Sequence, residues 1–198
     1  MKQNKLKIAI TGGIGSGKST ACNIIKRAGY PVYSCDETYA NLFDSGYFNE
    51  KLVELFGEDI LDFDGKLSRR KISEFAFYDD AKLKKLNEIT HPVIFEKIFE
   101  AAQSVQGDVC FFEVPLLFEG GYQNLFDKVI VIVREENERV KSIIERDNVS
   151  AEEVFARINK QYKYDFNDIA QYYVIHNYGK MVDFSAKINE LLLKITSC

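Results

Sequence analysis

A strand that runs straight into a glycine-rich turn and then a helix leaves a chain little choice of fold, and the segment from Lys7 to Gly29 has that form. The apolar stretch Ile8-Ala-Ile10 leads into Thr11-Gly-Gly-Ile-Gly-Ser-Gly-Lys-Ser-Thr20, and Ala21, Ile25 and Ala28 then recur at helical spacing. Four glycines in the six positions 12–17 let the backbone curl with its amides inward. Several N–H dipoles and a helix N-terminus then converge on phosphate oxygens. The pattern predicts that Gly13, Ile14, Gly15, Ser16, Gly17, Lys18, Ser19 and Thr20 hold a nucleoside triphosphate, with Lys18 at the outer phosphates and the Ser19 hydroxyl on magnesium.

Further short apolar runs predict strands at Lys7–Thr11, Val32–Cys35, Val109–Val114, Lys128–Val133 and Tyr172–Ile175. They alternate with segments of helical period, the pattern of a parallel sheet covered by helices on both faces. The fold class is therefore α/β, a phosphate-loop NTPase-type parallel sheet flanked by helices. The roughly seventy residues between the second and third strands exceed what one crossover needs. Residues 37–89 are expected to form a helical insertion, with Pro92 opening a long helix that returns to the core. The polar stretch 146–170 interrupts the way to the last strand and is expected to be a lid. The nucleotide-binding core is then 1–36, 90–145 and 171–198, and the apolar face Phe184, Ile188, Leu191, Leu192 and Ile195 predicts a C-terminal helix that covers it.

With 198 residues, 46% of them hydrophobic, the chain can bury a substantial core. A formal net charge of −4 argues against a general affinity for nucleic-acid backbone. No apolar stretch approaches membrane-spanning length, so a cytoplasmic protein is expected. Cys22, Cys35, Cys110 and Cys198 lack the Cys-x-x-Cys spacing of metal and redox sites and read as small buried thiols.

Phosphoryl transfer needs in-line positioning, neutralisation of charge and a group to receive the acceptor's proton. Asp36 follows the second strand at the carboxyl edge of the sheet, where open α/β folds place ligands, and is the candidate general base; helix capping is its structural alternative. Glu113 ends the third strand at the same edge. Arg139 and Arg146 lie seven residues apart on one side of a helix. Arg146 opens the lid, from which a guanidinium can stabilise the transferring group. Arg69 would suit a phosphate-bearing acceptor, and His91, next to Pro92, could contact one. His176 reads as an edge residue without a catalytic part, and the aromatics Tyr162, Tyr164, Phe166, Tyr172 and Tyr173 as packing under the lid. These residues are compatible with any small-molecule kinase; a regulatory nucleotide switch fits less well, because no Asn-Lys-x-Asp guanine-reading motif is present.

Nearly the whole chain resembles the dephospho-coenzyme A kinase family. The resemblance rests on the phosphate loop, Asp36, Phe56-Gly-Glu-Asp-Ile-Leu61, Asp64-Gly-Lys-Leu-Ser-Arg69, His91-Pro92, Val114-Pro-Leu-Leu-Phe-Glu119, Arg146-Asp147, Gln161 and Val174-Ile-His-Asn177. It implies transfer of the γ-phosphoryl group of ATP, with magnesium, to the ribose 3′-hydroxyl of dephospho-coenzyme A. It also makes 37–89 the acceptor-binding insertion. In that reading Asp36 is the base, Lys18 and Arg146 stabilise the transferred group, and Asp36, Arg69, His91, Glu113 and Leu117 bind the acceptor; no obligate protein partner is implied. The chain departs from the family pattern at Ser34-Cys-Asp36, where Asp-Ala-Asp is usual, at Glu113, where Asp is usual, and at Tyr172 and His176, which replace acids.

Overall fold

The computed structural model describes residues 5–77 and 79–196. Met1–Asn4, Tyr78, Ser197 and Cys198 lie outside the described residues, and with them the predicted buried thiol of Cys198. The chain divides into two compact units, one of Cys35–Ser104 and the other of the residues on either side of it.

The outer unit is built on a five-stranded parallel sheet in the order β2-β3-β1-β4-β5. Its strands are β1 (Leu6–Thr11), β2 (Val32–Ser34), β3 (Val109–Glu113), β4 (Lys128–Val133) and β5 (Tyr173–His176). The central β1 and its neighbours β3 and β4 are nearly continuous apolar runs, as strands buried on both faces must be. On one face α1 (Lys18–Arg27) and the C-terminal α9 (Met181–Thr196) pack through Ala21, Cys22, Ile25, Phe184, Ile188, Leu192 and Ile195 onto Ile8, Ile10, Phe111, Ile130 and Ile132. The sequence placed Cys35 in β2 and started β5 at Tyr172. The ladder instead ends at Ser34, where Cys35 begins a helix, and β5 is shifted by one residue.

After β4 come α6 (Glu136–Asp147), α7 (Ala151–Asn159) and the single turn α8 (Phe166–Ile169). Helix α6 ends where Asn148 adopts φ +52°. Helix α7 starts in a capping box, Ser150 accepting from the Glu153 amide while the Glu153 carboxylate accepts from the Ser150 amide. Val154 and Ile158 of α7 pack on Val140 and Ile143 of α6, with Ile14 of the phosphate loop against the same cluster, so the first part of the expected lid is packed onto residues outside it.

The Cys35–Ser104 unit comprises α2 (Cys35–Asp44), α3 (Asn49–Phe56), α4 (Arg69–Phe77) and α5 (Asp80–Ser104). Its core gathers Phe43, Phe48, Leu52, Phe56, Ile60, Leu67 and Ile72, with Leu86, Ile89 and Val93 of α5 against them. The sequence reading had one helix ending near Ile89 and Pro92 beginning the next. The structure has a single 25-residue helix with Pro92 and His91 in its middle. Losing one proline N–H forfeits one helical bond, whereas buried residues on both sides of Pro92, from Ile89 to Ile98 and Ala102, fix the same axis. The segment from residue 90 to Ser104 accordingly belongs with this unit.

Candidate active site

The phosphate loop joins β1 to α1, and its glycines are there for contact as much as for conformation. Gly12 has φ +149°, and a methyl group on it would lie 2.2 Å from the Ile132 carbonyl oxygen; Gly17 has φ +102° and would press on the Asn177 amide at 2.4 Å. The carbonyls of the loop are turned outward onto donors. Lys18 Nζ lies 2.7 Å from the Gly12 oxygen and 3.2 Å from that of Gly13. Arg139 Nε donates to the Ile14 oxygen at 2.8 Å, and Asn177 Nδ2 to the Ser16 oxygen at 2.8 Å. Arg134 reaches the Gly15 oxygen at 3.4 Å. With five successive carbonyls engaged by donors, the turn is held curled, the form of loop that binds phosphate.

At the carboxyl edge of the sheet Ser19 Oγ donates to Glu113 Oε1 at 3.1 Å. Glu113 stands opposite Ile10 on one side and Ser34 on the other, at the end of three parallel strands. A hydroxyl beside a carboxylate is a set of hard oxygen donors suited to magnesium. Among the described residues no group of three or more His, Cys, Asp or Glu is arranged to hold a metal ion. Cys22, one turn along α1, is buried beside Glu113, and burial with that neighbouring carboxylate pushes its thiol well up, so it stays protonated. Cys35 and Cys110 are likewise buried free thiols.

A cavity of about 620 Å³ opens beside the loop, lined by Gly13, Ser16, Arg134, Arg139, Tyr164 and His176 among others. Its volume is that of a small-molecule site. Arg139 is half-buried, and desolvation lowers its pKa from the ordinary value. Its guanidinium lies over Gly13, where a methyl group would meet Nη2 at 2.5 Å. Gln161 Oε1 accepts from the Ile14 amide at 2.8 Å and from Arg139 at 3.4 Å. His176 Nδ1 is 3.0 Å from the Tyr178 hydroxyl, both on the cavity wall, where the sequence suggested an idle edge residue.

Of the two arginines spaced along α6, Arg139 touches the phosphate loop. Arg146 is bound to Asp147 by two hydrogen bonds of 2.6 and 2.9 Å and its side chain is 62% exposed; Arg157 approaches the same carboxylate at 3.4 Å. Asp36 falls in the first turn of α2, two residues past β2, inside the helix rather than capping it, where a carboxylate is favoured by the N-terminal dipole. Arg69 donates to Asp44 Oδ1 at 2.6 Å and the Ala40 oxygen at 3.0 Å, with its guanidinium 5.0 Å from the Phe43 ring centroid. His91 is half-buried in α5, and burial lowers its pKa. Leu117 corrects the reading of a substrate contact: its side chain is wholly buried and its carbonyl accepts from the Tyr122 amide, so it shapes the loop after β3. Glu119, in the same loop, accepts from the Tyr162 amide at 2.9 Å. Of the aromatics expected to pack under the lid, Tyr162, Tyr164 and Tyr172 gather on Phe118 at centroid distances of 4.9, 6.0 and 5.3 Å, whereas Phe166 is 67% exposed and Tyr173 packs on the core beside α9.

A parallel sheet with this loop at the carboxyl end of its central strand, beside a nucleotide-sized cavity, defines a P-loop kinase fold. Comparison with known proteins narrows the class. The family model described as dephospho-CoA kinase matches residues 6–183. The dephospho-CoA kinase of Listeria innocua is 38% identical over 178 residues, 86% of this chain and 87% of that one. Among solved structures, TT1252 from Thermus thermophilus superimposes with a TM-score of 0.85 at 30% identity, over 98% of this chain and 99% of the other. The dephospho-CoA kinase from Campylobacter jejuni gives 0.68 at 30% identity, over 96% and 97%. This chain belongs to the dephospho-CoA kinase family, enzymes that phosphorylate dephospho-CoA with ATP to give CoA, the last step of CoA biosynthesis.

Proposed function

We propose that this chain transfers the γ-phosphoryl group of ATP to the ribose 3′-hydroxyl of dephospho-CoA, with magnesium and in the cytoplasm. The observation that carries the proposal is the outward engagement of the phosphate-loop carbonyls at Gly12, Gly13, Ile14 and Ser16, which sets the loop to receive phosphate without reorganisation at the moment of reaction. Among the described residues no helix is long and apolar enough to cross a membrane, which is compatible with that location.

The residues divide the work as follows. Residues Gly13 to Thr20 hold the triphosphate, and Lys18 neutralises charge on its outer oxygens. Ser19, with Glu113 beside it, would hold magnesium, and the ion would supply neutralisation of negative charge there. Asp36 takes the proton of the 3′-hydroxyl as that oxygen bonds to the γ-phosphorus and the bond to the bridging oxygen of ADP breaks. Residues 146–170 serve as the lid, and Arg146 exchanges Asp147 for the transferring group. Arg69 of the 37–89 insertion and His91 receive the acceptor, and Glu113 is a further acceptor-binding residue.

The test is CoA formation by the purified chain with ATP and magnesium, offering dephospho-CoA, adenosine or AMP as acceptor. Turnover with dephospho-CoA alone is expected, and Asp36→Asn should lower it about 10²- to 10⁴-fold while ATP affinity stays within about two-fold. Turnover with adenosine or AMP instead, or loss of ATP binding in the Asp36 variant, would overturn the substrate or the role of the base.

A further inference from the structure

The turn at the tip of the phosphate loop leaves one residue to be held from outside. The Ser16 amide donates to the Gly13 carbonyl at 3.1 Å and closes a four-residue turn, with Gly15 at φ +75° in its third position. The amide and carbonyl of Ile14, second in that turn, take no part in closing it and need other partners. Gln161 Oε1 accepts from the Ile14 amide at 2.8 Å, and Arg139 Nε donates to the Ile14 carbonyl at 2.8 Å, from 147 and 125 residues away in the chain. Arg139 Nη2 reaches the same Gln161 oxygen at 3.4 Å, which closes a ring of three residues. The Ile14 side chain lies against Val140, Ile143, Val154 and Ile158, so this residue is gripped by side chain and backbone together.

The Gln161 oxygen is delivered from a fixed place. Its own amide donates to the Ile158 carbonyl at 3.1 Å, just past the end of α7, and the amide of the next residue, Tyr162, donates to Glu119 Oε1 at 2.9 Å. The residue type matters as well. A carboxylate in this position could accept from the same two donors, but it would pair with the Arg139 charge and set a negative charge beside the phosphate loop. The glutamine oxygen joins loop and guanidinium without cancelling the positive charge.

We propose that Gln161 is a positioning residue for ATP, its neutral oxygen tying the Ile14 amide to the Arg139 guanidinium so that the phosphate loop and its cation are ordered before the nucleotide arrives. A loop already ordered loses no further freedom on binding, so the effect falls on ATP affinity and leaves the acceptor untouched. The proposal rests on the assignment of ATP to the phosphate loop.

Gln161→Ala removes the link. The expected result is an ATP Kd in calorimetry raised about three- to ten-fold, the effect of one lost neutral hydrogen-bonding group, with kcat and the KM for dephospho-CoA within about two-fold. Gln161→Glu keeps an acceptor for both donors and should melt near the wild type, yet bind ATP more weakly than Q161A does. Combining Gln161→Ala with Arg139→Ala should weaken ATP binding by less than the product of the single effects, because both act through Ile14. Wild-type ATP affinity in Q161E beside a lowered melting temperature in Q161A would make Gln161 a structural link alone and overturns the proposal, as do single effects that multiply in the double variant. A wild-type chain that binds no ATP overturns the functional reading with it, whereas wild-type binding and an unaltered Q161A overturn the part of Gln161 alone.

Discussion

Replacing Gly12 by alanine separates what a phosphate loop needs from glycine: freedom of backbone or absence of a side chain. The new methyl carbon would stand 2.2 Å from the Ile132 carbonyl oxygen and 2.8 Å from Ser16 Oγ. A Cβ is not found nearer than 3.0 Å to such an atom, so β1 or β4 must give by about 0.8 Å. Both strands are central in the sheet and cannot move singly. Forcing a methyl group into such a site costs about 1–3 kcal/mol. Holding alanine at φ +149° adds about 1–3 kcal/mol, less roughly 0.4–1 kcal/mol recovered from the stiffer unfolded chain. A total near 3 kcal/mol lowers the melting temperature of a chain this long by roughly 6–12 °C. Gly29, past the end of α1, is the control: φ is +91° and nothing lies within 4 Å of its missing Cβ, so alanine there meets only the backbone term. Gly29→Ala should therefore shift the melting temperature by roughly 2–4 °C. Thermal melts followed by far-ultraviolet circular dichroism compare the two. Equal shifts would refute the reasoning, because they would mean that the Ile132 carbonyl yields freely and the contact carries no cost.

Arg139→Ala should weaken ATP binding about ten- to a hundred-fold in calorimetry, since it removes a charged donor from the Ile14 carbonyl, while Arg146→Ala should depress turnover more than affinity. A reversed pattern would exchange their parts. Burial holds the His91 imidazole below its ordinary 6.5, so as the pH falls through that value the unfolded chain takes up a proton that the folded chain refuses. This contribution is fully present above pH 6.5 and is lost below it. The melting temperature of His91→Gln should accordingly fall less between pH 7 and 5 than that of the wild type, and parallel slopes would contradict the assignment.

The sheet was legible because central parallel strands must be apolar on both faces, and the phosphate loop because its residue types follow from its task. What could not be read lies where long-range packing decides. Pro92 carries a local stop signal, which the apolar residues on either side of it override. Leu117 belongs to a run that reads as a ligand loop, yet its side chain went into the core. Arg139 and Arg146 are equivalent in spacing; only the placement of α6 beside the loop, with Gln161 brought in from beyond α7, distinguishes them. Tyr164 reads as packing, but that its ring meets Phe118, more than forty residues away in the chain, is decided by the fold.

The order of the strands also sets a timetable. β1 pairs only with β3 and β4, through registers such as Leu6 with Val109 and Ile8 with Lys128, and the Cys35–Ser104 unit lies between them in the chain. During synthesis the phosphate-loop sequence leaves the ribosome ahead of both neighbouring strands, and its strand has no partner until about a hundred more residues have been made. The sequence of the Cys35–Ser104 unit is by then complete. β1 is thus made before the helical unit yet gains its final neighbours after it, and a chain cut short before β4 holds the whole nucleotide motif without the carbonyl of Ile132 against which Gly12 is fitted.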